Sequence, residues 1–279
     1  MKIKEELVSI VIPVFNEEKV IERLLLSLKN QTYRNIEVIV VDDGSSDRTV
    51  EIASKYADKV YKRKHAERSV QRNFGVKKSK GKLLLFLDGD MKLSEDVVLS
   101  CVNLAKKDRK AGAIAIKEIP VASTFWEKVK AFERSFYNIE GDDITDAARF
   151  FPKHVFNEIG GYDETITGPE DWDITDEVRR IGLRVRWVDA VIYHYERVPN
   201  PIILARKKYY YGLKSYRYFK KHKIRKFGPK TIYFLRPVFY KHPMRFIRNP
   251  FLSVGLLIML TFELIGGGLG YFWGRIKNE

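Results

Sequence analysis

Apolar residues in the first half of the chain fall into short runs separated by stretches with a helical period. Residues 7–13 form a β-branched-rich run that reads as a buried strand. Val20, Ile21, Leu24, Leu25 and Leu28 then recur at helical spacing and predict a helix over 17–30. The alternation continues: strand 36–41, helix 47–57 with Ser45 or Ser46 as its cap, short strand 59–61, helix 69–78, strand 83–87, helix 95–106 and strand 113–119. Strands alternating with helices of about ten residues imply βαβ units, hence an α/β, Rossmann-like fold with a mostly parallel central sheet flanked by helices. Ligands bind such sheets at the carboxyl ends of the strands. Asn16-Glu17, Asp42-Asp43 and Asp88-Gly89-Asp90 all fall at such ends, so three polar clusters are expected along one edge.

Beyond residue 120 the pattern changes. Phe125, Trp126, Val129, Phe132 and Phe136 predict an amphipathic helix over 124–139, and an acidic loop follows over 141–146. A turn at Gly160-Gly161-Tyr162-Asp163 precedes a helix that opens at Glu170-Asp171, and a strand over 185–193 ends at His194. Residues 201–222 read as a helix rich in Tyr, Lys and Arg, and 231–247 is interrupted by Pro237 and Pro243. Residues 251–273 are an apolar run whose only charge is Glu263. At about 1.5 Å per residue it is long enough to cross a hydrocarbon core of about 30 Å. Three segments are expected: a catalytic domain over 1–196, basic and aromatic interfacial helices over 197–248, and a transmembrane helix with a short tail over 249–279.

Charge sharpens this division. The formal net charge is +15, yet 16 Lys/Arg and no Asp or Glu lie between Arg197 and Arg248, leaving residues 1–196 close to neutral. A neutral domain, a basic stretch and an apolar run point to an anionic membrane surface, not to nucleic acid. The basic excess before the run predicts a single-pass protein with its catalytic domain cytoplasmic. Glu263 should not face lipid alone; it is expected to pair with a basic group or to stay protonated. Gly266/Gly270 and Gly270/Gly274 are G-x-x-x-G pairs, which permit close helix approach and suit either a dimer face or a kinked or re-entrant helix packed on the rest of the chain. The single cysteine, Cys101, allows no intramolecular disulfide, and the N-terminus leads into a strand instead of a secretory signal.

The chemistry-bearing residues are ambiguous one at a time. Asp88 and Asp90, one residue apart on a turn, can reach a hard divalent cation such as Mg²⁺ or Mn²⁺, but an Asp-Gly turn needs no metal. Asp42-Asp43-Gly44 reads equally as a strand-to-helix turn or as a carboxylate that accepts from a nucleotide base. Acids favour helix starts for dipole reasons, and an ionised Asp171 there can take a proton from a sugar hydroxyl. His194 is a packed histidine or a metal ligand.

Their order resolves much of this. Pro13-Val14-Phe15-Asn16-Glu17, VDDGSSD at 41–47, QRNFG at 71–75, FLDGD at 86–90, EIGGYDE at 158–164 and GPEDWD at 168–173 together resemble the family-2 glycosyltransferases of GT-A fold, over residues 7–195. The resemblance extends to membrane-anchored members such as dolichyl-phosphate hexose synthases and minimal cellulose-synthase-like enzymes. It implies that Pro13, Phe15, Glu17 and Asp43 line the nucleotide pocket and that Arg72 lies near the donor diphosphate. It also implies that Asp88 and Asp90 serve the metal with Asp90 the closer, that His194 contributes to metal or diphosphate, and that Asp171 is the base of an inverting displacement. The Q-x-x-R-W motif of processive members is absent, which favours single transfers, and Arg206 in the run 206–212 stands where basic groups can hold the diphosphate instead. Lys92 replaces a glutamine common in the dolichyl-phosphate enzymes. The implied reaction moves a hexose, with mannose from GDP-mannose ahead of UDP-glucose, onto a lipid-linked acceptor. A catalytically silent nucleotide-sugar or lipid-binding protein on the same fold is the alternative.

Overall fold

The computed structural model describes residues 5–139, 141–142, 146–225 and 227–278. In chain order the elements are β1 (Val8–Val14), α1 (Ile21–Lys29), β2 (Ile36–Asp42), α2 (Thr49–Ser54), β3 (Lys59–Lys62), α3 (Arg68–Lys78), β4 (Leu83–Phe86), β5 (Met91–Leu93), α4 (Val97–Lys107) and β6 (Ala111–Val121). Then come α5 (Phe125–Arg134), β7 (Ala148–Pro152), α6 (Lys153–Glu158), α7 (Glu170–Arg180), β8 (Arg184–Tyr195), α8 (Pro201–Lys221), α9 (Pro237–Lys241), α10 (Met244–Arg248) and α11 (Pro250–Asn278). Among the described residues the strands form one sheet in the order β3-β2-β1-β4-β7-β6-β8-β5. The expected parallel pairing holds from β3 to β4. Beyond β4 the sheet turns antiparallel at β4–β7, β7–β6 and β5–β8. Antiparallel neighbours need no helical crossover, so the alternation rule that found the first strands does not reach β5 and β7.

The chain packs as two compact units. The first holds residues 1–118, 147–164 and 173–194. The period-2 alternation of its strands fills both faces of the sheet. Ile10, Ile12, Val38, Val40, Leu83 and Leu85 join α1 and α4 in one core, through Leu24, Leu28, Val98 and Cys101. Val11, Leu84 and Phe86 join Val155, Phe156, Ile174 and Val178 in another.

The second unit holds residues 119–146, 165–172 and 195–279. Its core sets Val129 and Phe132 of α5, and Phe136 just beyond it, against Leu204, Phe239, Leu256, Met259 and Leu260. Pro237 stands at the first turn of α9, and α10 begins directly after Pro243, as expected where proline interrupts a helix. A side-chain Cβ at Gly266, Gly270 or Gly274 would come within 2.2 Å of the carbonyl oxygens of Ala205, Tyr209 and Leu213 respectively. The G-x-x-x-G row is thus occupied by α8 of the same chain, the packing alternative of the two that the sequence left open. Glu263 is buried and paired with Lys130 of α5 at 2.8 Å and Lys208 of α8 at 3.1 Å.

Candidate functional site

Strand β4 delivers Asp88, Gly89 and Asp90 into a tight connection to β5. One oxygen of Asp88 accepts from Arg72 at 2.9 Å and the other from Arg149 at 3.3 Å. Arg72, on α3, is fully buried, with its guanidinium 5.0 Å from the Tyr162 ring. Arg149 reaches the site through an irregularity: Ile114 pairs with Phe150 and Ala115 with Ala148, so Arg149 is an extra residue on β7. Bulges of this kind re-aim a side chain at the rim of a sheet. Burial by itself would raise the Asp88 pKa, but the charges of Arg149, Arg72, Arg68 and His194 outweigh it and hold the carboxyl well below the usual range.

Asp90 and His194 meet because β5 pairs antiparallel with β8, with Met91 opposite His194. The His194 Nε2 lies 3.5 Å from Asp90 Oδ1, and its Nδ1 lies 3.0 Å from Glu118 Oε2. Glu118, on β6, is buried and also accepts from Arg149 Nε at 2.5 Å. An imidazole that donates through Nδ1 to a carboxylate presents a lone pair at Nε2, the arrangement found behind metal-ligating histidines. The donor set fits a divalent cation of the Mn²⁺ or Mg²⁺ kind, which takes carboxylate oxygen and, for Mn²⁺, imidazole nitrogen readily. Both oxygens of Asp88 face arginines, so Asp90 and His194 would be the protein's direct ligands and Asp88 would shape the field. Glu118 and Arg149 were not singled out from sequence. The available signal was a charged residue inside each of two apolar runs, 113–119 and 148–152, where an unpaired charge is not tolerated.

The nucleotide-binding candidates cluster beside this edge. Asn16 has φ 53°, a left-handed conformation that asparagine tolerates. Its N–H donates to Ser45 Oγ at 2.9 Å, and its Oδ1 accepts from the Ser46 N–H at 2.9 Å. The Glu17 N–H donates to Thr49 Oγ1 at 2.7 Å. A Cβ on Gly89 would lie 3.1 Å from Glu17 Cγ, so the Glu17 side chain rests on the Asp-Gly-Asp turn. Phe15 is 47% exposed, its ring 5.2 Å from that of His65. Asp43 accepts from the Ala66 N–H at 2.7 Å and from Gln71, and meets His65 Nδ1 at 2.7 Å. Pro13 sits inside β1 opposite Val41. The expected serine cap on α2 is corrected: the helix begins at Thr49, Ser45 is spent on Asn16, and Asp47 accepts from the Thr49 N–H at 3.0 Å.

Asp171 and Arg206 belong to the second unit. Asp171 is the second residue of α7 and half-buried. Trp172, next to it, packs its ring 6.3 Å from Tyr218 and 6.5 Å from Tyr233. Arg206 is an exposed residue of α8. Residues 143–145 of the acidic loop expected over 141–146 lie outside the described residues.

A family model described as glycosyl transferase family 2 matches residues 9–159. An uncharacterized glycosyltransferase of Bacillus subtilis, EpsJ, is 42% identical over 215 residues, which cover 70% of this chain and 62% of that protein. An uncharacterized glycosyltransferase of Rickettsia bellii is 29% identical over 198 residues, 63% of this chain and 28% of that protein. The chain thus spans less than two thirds of the length of these curated relatives. Among solved structures, the mannosyltransferase PcManGT of Pyrobaculum calidifontis, in complex with GDP-Man and Mn²⁺, superposes with TM-score 0.62 at 17% identity, covering 98% of this chain and 88% of the other. That likeness shows a shared fold.

Proposed function

The chain belongs to glycosyl transferase family 2, and on that premise we propose that it is a metal-dependent, inverting, non-processive transferase that moves a hexose from a nucleotide sugar to a lipid-linked acceptor. The observation that carries this reading is the edge where Asp88 is held ionised by Arg72 and Arg149 beside the Asp90–His194–Glu118 line. When bound there, a divalent cation would neutralise charge on the departing diphosphate. Phe15 offers an exposed face to a nucleotide base, and Asp43, Glu17 and the turn at Asn16 shape its surroundings. Arg206 remains the candidate for a further diphosphate contact. Asp171 takes the proton of the acceptor hydroxyl as that oxygen attacks the anomeric carbon, which inverts the configuration.

Mannose from GDP-mannose is the leading donor, supported by the fold shared with a mannosyltransferase in complex with GDP-Man and Mn²⁺. A lipid-linked acceptor, such as a polyprenyl-linked glycan that offers a sugar hydroxyl, is supported by α11, which is long and apolar enough to cross a membrane, and by the acid-free basic stretch before it. The catalytic domain would then face the cytoplasm. The direct test incubates the protein with a panel of labelled GDP-, UDP- and dTDP-sugars, Mn²⁺ and lipid extract. Label should reach the lipid phase, stop with EDTA and return with Mn²⁺ or Mg²⁺. Transfer equal to that of Asp171→Asn across the whole panel would leave only the silent binding protein.

A further inference from the structure

We infer that α11 lies along an anionic membrane surface, half-embedded, and does not cross the bilayer. This deepens the membrane seat proposed above and rests on it. The helix has two faces along its full length. Gly255, Leu256, Met259, Leu260, Glu263, Gly266, Gly270 and Gly274 are buried within the second unit. Phe251, Val254, Ile258, Phe262, Ile265, Leu269, Phe272 and Ile276 are exposed, recurring every three or four residues. The exposed row spans roughly 38 Å at about 1.5 Å per residue.

The buried face decides between lying and crossing. Near its N-terminal end α11 packs on α5, where a Cβ on Gly255 would lie 2.6 Å from Val129. Towards its C-terminal end it runs parallel to α8, with Gly266, Gly270 and Gly274 against the backbone of Ala205, Tyr209 and Leu213. At the middle, Glu263 is tied to a lysine from each of those helices. A crossing α11 would carry α5 and α8 into the hydrocarbon with it. The stretch of α8 concerned bears Arg206, Lys207 and Lys214, of which Arg206 and Lys207 are exposed. Charged side chains facing lipid at that depth are strongly disfavoured. Laid flat, the helix buries only its exposed apolar row and leaves α5 and α8 on the aqueous side, as an interfacial helix does.

The neighbouring helices extend the same surface. Tyr240 of α9 and Met244 and Ile247 of α10 are more than half exposed. Lys241 and Arg248 are exposed among them, and no acid lies between Arg197 and Arg248. Apolar side chains interleaved with unopposed cations match acidic headgroups over an acyl boundary.

The test places single thiols at the two ends of the helix, as Arg248→Cys and Lys277→Cys, in the full-length protein; Cys101 is buried and serves as a silent background. Inverted membrane vesicles from expressing cells are treated with a membrane-impermeant maleimide. Both positions should react before detergent is added. In a parallel flotation assay, phosphatidylcholine vesicles containing phosphatidylglycerol should retain the protein. The double variant Ile265→Asp with Leu269→Asp should lower that retention at least tenfold while its thermal unfolding midpoint stays within a few degrees of wild type. Protection of position 277 until detergent is added would overturn the inference in favour of a crossing helix. Failure to float, with a dimer that the double variant dissociates, would overturn it in favour of a second copy covering the row. Sugar transfer measured in detergent on the same preparations keeps the two readings apart. An active protein with a protected end refutes only the flat helix, whereas two reactive ends without transfer across the donor panel refute only the enzyme.

Discussion

Each unit of the molecule contains a carboxylate held between two cations, half-buried in the first and buried in the second, yet the two constellations serve different ends. In the first, Asp88 sits between Arg72 and Arg149 at the end of a strand, and it and its neighbours Asp90 and His194 remain partly open, with side chains 20%, 15% and 12% exposed. In the second, Glu263 sits between Lys130 and Lys208, and Lys130 is bound further by Glu133 at 2.6 Å. That cluster is sealed among helices and balances two positive charges with two negative ones. A buried ion pair is therefore not a mark of chemistry in itself. What distinguishes the first is its place at strand ends, where polar side chains from separate elements converge on space that a ligand can reach.

The comparison predicts that chemistry and stability separate cleanly by mutation. The largest effect should come from Asp171→Asn, which removes the proposed base and should lower the transfer rate by about 10²–10⁴-fold. The dissociation constant for the donor nucleotide and the unfolding midpoint should hardly move. A comparable loss of nucleotide binding would assign Asp171 to donor recognition instead.

Glu263→Gln should do the reverse. It removes the countercharge of the buried Lys130 and the half-buried Lys208, and breaking a buried pair costs about 3–5 kcal/mol of stability. Denaturant unfolding in detergent measures this. Replacing Glu263, Lys130, Lys208 and Glu133 together with apolar residues should recover much of the loss, since the matched charges fasten the helices without being needed for catalysis. The same cluster fixes a pH dependence. Burial alone would lower the pKa of Lys130 and of Lys208, but the nearby acids, Glu133 and Glu263 for Lys130 and Glu263 foremost for Lys208, outweigh it and raise both. A raised folded-state pKa adds stability that is complete below the unfolded value of about 10.4 and is lost as pH rises through the folded one. The contribution should therefore be intact at pH 7–9 and fall only at strongly alkaline pH. The fourfold apolar variant should lack that alkaline decline.

How legible these two constellations were differs for a physical reason. The first was visible in part because its residues lie at turns that close apolar runs: Asp43, Asp88 and Asp90 each follow a strand, where a carboxylate is conspicuous. Its supporting half was hidden. Glu118 lies inside β6, and Arg149 is aimed by a bulge on β7, a strand paired antiparallel on both sides; periodicity cannot register either event. For Glu263 the sequence posed the right question, a lone acid in an apolar run. The identities of Lys130 and Lys208 depended on helix packing, with Lys130 133 residues away along the chain. The long apolar run reads as a transmembrane helix, and α11 is long and apolar enough to be one; composition reports how apolar a segment is, while the faces that α5 and α8 cover show only in the packing.

The hidden half of the site supplies a smaller, sharper effect. Glu118→Gln keeps the shape of the side chain but removes the charge behind His194 Nδ1. Loss of such a partner typically costs about 10–100-fold in metal affinity. Titration of the purified protein with Mn²⁺, followed by electron paramagnetic resonance of the free ion, reads this without any turnover. Mn²⁺ affinity unchanged in the variant, together with loss in Asp90→Asn, would assign the cation to Asp90 and leave His194 to the diphosphate.

The smallest effect tests whether α5, which supplies Lys130, is held by its packing or by its own cap. Thr124 accepts from the Glu127 N–H at 3.4 Å, while the Glu127 carboxylate accepts from the Thr124 N–H at 2.9 Å, a reciprocal capping box on the solvent side of the second unit. Thr124→Ala should lower stability by about 1 kcal/mol, and Thr124→Ser should restore most of it. Transfer at saturating donor should be unaffected by either. If the alanine variant lost more stability than Glu263→Gln, the local cap and not the buried charge cluster would be the main fastening of α5, and the contrast between the two cation-held carboxylates would narrow to their exposure alone.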